Sequence, residues 1–129
     1  MIPAAIGVAL AFAIYGMLAT TGLTRNRGVL AVLLVAIASY YLVFSFDHGH
    51  PGELLWHSLA FAAFLIMAAL GLRQGVTLIA LGLIAHGLFD IALVPQFSTS
   101  APDWWAGFCA GVDIALGGMI LLTPQKAFT

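Results

Sequence analysis

Three pairs of chemically capable side chains share one spacing: His86/Asp90, Glu53/His57 and Cys109/Asp113 each stand four residues apart. On a helix that spacing stacks both side chains on one face. All three pairs lie within, or at the edge of, long apolar runs. A central Asp in a membrane helix costs roughly 2.5–3.5 kcal/mol on insertion scales, so intramembrane acids usually face a protein interior and often mark function. The chemistry on offer is proton transfer, in which two carboxyls near one imidazole hold their protons unequally and so divide the roles of acid and base. His86, Asp90 and Asp113 are therefore the candidate catalytic groups. Glu53, His57, Tyr41, Cys109 and Trp104 are the candidate substrate-binding or supporting side chains.

The composition says where such groups must work. Of 129 residues, 63% are hydrophobic and 7% charged, against about 25% charged in soluble domains. The lipid bilayer is the expected partner, with a small apolar ligand or lipid as the expected substrate class. A net charge of −1 with four Lys and Arg residues excludes a nucleic-acid partner. One cysteine excludes an intrachain disulfide and an all-Cys zinc site. The segment Met1 to Ala11 has no basic residues and its apolar run continues to Gly22, so it reads as a first span rather than a cleaved leader.

Five runs approach the ~20 residues needed to cross a hydrocarbon core, at about 2–22, 28–46, 53–72, 75–95 and 103–122. The sequence thus predicts a single domain over 1–129, an all-α integral membrane bundle of five transmembrane helices. Short connections predict that sequence neighbours pack as antiparallel neighbours. Arg25, Arg27, Arg73 and Lys126 fall in the first loop, third loop and tail, while Asp47, Glu53 and Asp103 fall at the other ends of the runs. The positive-inside bias then predicts N-out/C-in in the plasma membrane, the inner membrane in a bacterium.

Depth follows from a rise of ~1.5 Å per residue: Asp90 lies about 8 Å and His86 about 14 Å in from the outer side, and Cys109 and Asp113 about 9 and 15 Å. Tyr41 and Ser45 reach the same level from the second run. The ionisable groups are thereby concentrated in one leaflet, where Tyr41, His86, Asp90 and Asp113 are expected to line one cavity open toward the acidic face. Gly107 and Gly111 form a GxxxG pair about 200° around from the Cys109/Asp113 row, a surface for oligomer contact.

Plainer roles stand beside these. His86/Asp90 can be a structural hydrogen bond between helices, Cys109 a small packing residue, and Trp56, Trp104 and Trp105 belt anchors. His48 and His50 have metal-binding H-x-H spacing but sit in a solvated loop. His57, His86, Asp90, Cys109 and Asp113 are acceptable metal ligands by type, yet no H-E-x-x-H or other standard spacing is present, so no metal site is expected and no cofactor is assigned. Membrane-embedded acid–base catalysis leads over proton-coupled transport or metal or cofactor binding, and over a small structural subunit of a membrane complex.

From Glu53 onward the chain resembles an uncharacterised family of small bacterial multi-pass membrane proteins. The resemblance is carried by Gly52-Glu53, Gly71-Leu72-Arg73, Ala85-His86-x-x-x-Asp90, Pro95 and Cys109-x-x-x-Asp113, in that order, over about 60% of the chain. It implies that Glu53, His86, Asp90, Cys109 and Asp113 are the positions that matter, and it implies no activity. The chain departs from that family where a His pair would follow the aspartate, having Leu93 and Val94 instead. A reporter fused after Thr129 is expected to behave as cytoplasmic, and an extracytoplasmic signal would overturn both the orientation and the depth assignment.

Overall fold

The computed structural model describes residues 2–48, 51–94 and 101–123. They form five helices: α1 (Ile2–Thr21), α2 (Arg27–His48), α3 (Pro51–Gln74), α4 (Val76–Ala92) and α5 (Trp105–Leu122). Four of them, all but α4, are long and apolar enough to cross a membrane. Large apolar side chains also point outward, among them Ile2, Phe12, Met17, Val32, Phe46 and Leu122. Such a surface suits a lipid solvent and marks a multi-pass membrane protein.

The fourth helix differs from its expected bounds of 75–95. It has 17 residues and stops at Ala92, with Leu93 as its C-cap; Pro95 lies outside the described residues. Its length is about 26 Å at 1.5 Å per residue. It is nevertheless the central helix, packed against α2, α3 and α5. The residues Val76, Ile79, Ala80, Leu83, His86, Gly87 and Asp90 are buried at spacings of three and four, so one continuous stripe faces inward.

Three stripes share a pattern. On α4 the order is Ile79, Leu83, His86, Asp90; on α5, read from its end, Ile120, Leu116, Asp113, Cys109; on α2, Leu30, Leu34, Ala38, Tyr41, Ser45. Each is aliphatic at the end of the bundle that carries Arg25, Arg27 and Arg73, and polar at the other. The same helical spacing builds the apolar core and hands it over to the polar one.

Sequence neighbours are not always spatial neighbours. The main partner of α1 is α5, and α1 is not among the close partners of α2. The two terminal helices run parallel: Pro3 lies beside Gly107, Ala4 beside Gly111, Gly7 beside Phe108 and Val112, and Tyr15 Oη is 2.5 Å from Thr123 Oγ1. This corrects the assignment of Gly107/Gly111 to an oligomer contact. A Cβ on Gly111 would stand 2.3 Å from the Ala4 carbonyl oxygen, so that face of α5 is occupied by α1 of the same chain.

The first-loop arginines have a task in this fold. Arg25 Nη1 donates to the Ile120 and Thr123 carbonyls at 3.4 and 3.3 Å, and Arg27 Nη1 to those of Leu72 and Arg73 at 3.2 and 3.3 Å. Both satisfy carbonyls at helix C-termini, where a positive charge is favoured. The Gly111→Leu variant is expected to lose roughly 1–3 kcal/mol of stability by overpacking with no change in oligomeric state. A dissociating oligomer of unchanged thermal stability, seen by size exclusion with light scattering, would return the GxxxG pair to an intermolecular role.

Candidate functional site

The polar ends of the three stripes meet in one cluster. The His86 ring Nδ1 is 2.7 Å from Asp113 Oδ2, across from α4 to α5, and 3.5 Å from Asp90 Oδ2 on its own helix. Relative exposures are 1% for His86 and zero for Asp90 and Asp113. The first contact is a hydrogen bond; the second is an ion-pair distance longer than a good hydrogen bond. Consequently neither oxygen of Asp90 has a hydrogen-bond partner, and Asp113 Oδ1 has none either. Buried carboxylate oxygens without donors are rare, because each forfeits its hydration.

Two glycines let α4 and α5 approach closely enough for that bond. A Cβ on Gly87 would lie 2.5 Å from Ile114 Cγ1 and 3.2 Å from Asp113 Cβ, and one on Gly117 would lie 2.8 Å from the Ala80 carbonyl oxygen. Small residues at such crossings are the usual device in membrane helices. Aromatic rings wall the imidazole on the other side. Phe64 meets His86 edge-on at 4.8 Å between centroids, and Phe89 lies 5.7 Å away.

Tyr41 closes the cluster from α2. Its side chain is buried, and its hydroxyl has no hydrogen-bond partner. The ring stacks on His57 with centroids 5.3 Å apart and 14° between planes, and stands 6.3 Å from His86. Glu53 accepts a hydrogen bond from Ser45 Oγ at 2.9 Å. Both Glu53 and His57 are buried, which corrects the reading of Glu53 as a loop charge on an acidic face. The helix start at Pro51 gives α3 enough length to carry these two side chains inside.

Of the residues singled out by sequence, His86, Asp90, Asp113, Tyr41 and His57 converge. Cys109 is also buried, on the same face of α5 as Asp113. Trp104 does not join them: it is half exposed and packs edge-on with Trp105 and Phe108. His50 lies outside the described residues. Sequence reasoning missed Phe64 and Phe89. Both look like any other apolar position, and no periodic signal distinguishes a ring against an imidazole from ordinary packing.

A cleft of about 330 Å³ runs between α1 and α2 over α5, lined among others by Leu10, Ile14, Ile37, Trp105, Cys109 and Asp113. Asp113 lines this cleft, whereas Tyr41, His86 and Asp90, expected in the same cavity, do not. A groove of about 500 Å³ approaches from the opposite side, between α3 and α4, and ends on Phe64 and Phe89. No protein-family model, curated protein or solved structure matches the chain.

Among the described residues, His86 is the group that lies against both carboxyls. His86→Ala is expected to destabilise the detergent-solubilised protein by about 1–3 kcal/mol, since it strips Asp113 of its hydrogen-bond partner inside a dry interior. An unchanged thermal melt would mean that the cluster is solvated or the contact absent.

Proposed function

We propose that this protein is a membrane-embedded enzyme that performs acid–base chemistry on a small apolar or lipid-phase substrate. It spans the plasma membrane five times, with the cluster in the extracytoplasmic leaflet. The observation that carries the reading is Asp90, fully buried and without a hydrogen bond to either oxygen, beside an ordered His86–Asp113 pair. In it Asp90 serves as proton donor, Asp113 as base, and His86, bonded to Asp113, orients the two carboxyls. Tyr41, Glu53, His57 and Cys109 support them. A carboxyl held out of water next to a hydrogen-bonded imidazole has the separated roles that general acid–base catalysis requires.

The cleft between α1 and α2 supports a substrate that arrives from the bilayer, because its walls are apolar and Cys109 and Asp113 lie at its floor. Transport is less well supported. Beneath the cluster the bundle is filled by Leu30, Leu34, Ile79, Leu83, Leu116 and Ile120, all fully buried, and a proton or ion path would need polar groups there.

Asp90→Asn and Asp113→Asn test the acid–base role. Stripped of metal by a chelator, Asp90→Asn is expected to melt within about 4 °C of the parent, roughly 1 kcal/mol for a chain of this size, whereas Asp113→Asn, which removes the charge paired with His86, is expected to melt lower. At Asp90 an amide replaces a protonated carboxyl with little change of shape, but it cannot give up a proton, so turnover is lost while folding is kept. If Asp90→Asn melts far below the parent, that carboxyl is structural and the acid–base role is wrong.

A further inference from the structure

We propose that His86, Asp90 and Asp113 form a binding site for one divalent transition-metal ion, best suited to Zn²⁺, which enters in exchange for two protons. The inference rests on the reading of this cluster as the functional part of the protein, and it adds a cofactor to it.

The donors are already gathered. One ligand atom from each of the three side chains lies within 4.8 Å of the other two. One imidazole and two carboxylates make three protein ligands, the number a catalytic zinc takes when its fourth position is kept for water or substrate. Cys109, though buried nearby, is outside the three-donor group, so that fourth position is not filled by thiolate. Ligands at 2.0–2.2 Å in tetrahedral array stand about 3.3 Å apart. His86 Nδ1 and Asp90 Oδ2, at 3.5 Å, are at that spacing. His86 Nδ1 and Asp113 Oδ2, at 2.7 Å, need to part by only about 0.6 Å.

A second, independent observation points to a ligand. Asp90 Oδ1, Asp90 Oδ2 and Asp113 Oδ1 are buried and accept no hydrogen bond. A protein that leaves three carboxylate oxygens without donors in a lipid-surrounded interior has left room for a cation. No guanidinium supplies the charge, because Arg25 and Arg27 are bonded to helix ends at the opposite side of the bundle and Arg73 lies with them.

Charge balance sets the stoichiometry of exchange. Without metal, the electroneutral cluster holds two protons: an imidazolium, one carboxylate and one carboxylic acid. With metal, a neutral imidazole, two carboxylates and a divalent ion are again electroneutral. Binding therefore releases the imidazolium Nδ1 proton and the carboxylic proton, leaving the imidazole protonated at Nε2. Metal sites whose ligands must be deprotonated release protons in this way.

The test uses the full chain in detergent micelles, stripped by chelator and then titrated with zinc chloride in weakly buffered solution. One zinc per chain is expected to survive desalting, with two protons released per ion and a raised melting temperature. Asp90→Asn and Asp113→Asn should each weaken zinc binding at least a hundredfold. The double variant His48→Ala/His50→Ala should leave it unchanged, which separates the cluster from the other pair of histidines. A parent that retains no zinc, binding that survives both Asn substitutions, or binding lost with His48 and His50 would each overturn the site. Absence of zinc together with a near-parental melt of Asp90→Asn refutes the metal and leaves the acid–base reading standing. Collapse of Asp90→Asn in chelator refutes the acid–base reading, and zinc stoichiometry of the parent still decides the metal.

Discussion

A dry interior accepts ionisable groups only where their charges cancel, and here the cancelling contact is the 2.7 Å bond between His86 and Asp113. The rest of the polar half is arranged around it. Gly87 and Gly117 bring α4 and α5 close enough to make the bond. Phe64 and Phe89 wall the imidazole, and Tyr41 brings α2 to the same level. Asp90 is held beside the pair, 3.5 Å from His86 Nδ1, by its place one turn further along α4.

The bundle divides along its axis for a related reason. At one end, buried aliphatic side chains from α2, α4 and α5 form a core with nothing ionisable in it. At the other end, the same stripes continue with Tyr41, Ser45, His86, Asp90, Cys109 and Asp113. Placing all of these at one level lets one cluster neutralise itself, where scattered groups would each need a separate partner inside the membrane. The basic end follows a different logic. Arg25 and Arg27 hold the C-terminal carbonyls of α5 and α3, so helix ends alone explain their position.

Much of this was legible in the chain because the signals were local. The four-residue spacing of His86 and Asp90 fixes their common face, and long apolar runs fix the helices to within a few residues. What could not be read was pairing between helices. That Asp113, rather than Asp90, makes the short bond to His86 depends on how far α5 slides against α4. The parallel contact of α1 with α5 was hidden because short loops favour chain neighbours, while Gly7 packs on Phe108 and Val112, and Gly111 on Ala4, far apart in sequence. Glu53 looked like a surface charge because it opens a helix. Its burial follows from α3 starting at Pro51 and from the Ser45 hydroxyl that waits for it. Depth along the helices already placed His86, Asp90 and Asp113 at one level, while the contact distance across 27 residues comes only from how α4 and α5 pack.

On the reading proposed above, His86, Asp90 and Asp113 form one electroneutral unit that holds a carboxylic proton when no metal is bound. Infrared spectroscopy of the chelator-stripped protein at neutral pH reads this directly, through the carbonyl stretch of a protonated carboxyl group. Such a band is expected in the parent, with its loss or displacement in Asp90→Asn. A parent spectrum in which every carboxyl is ionised would contradict it.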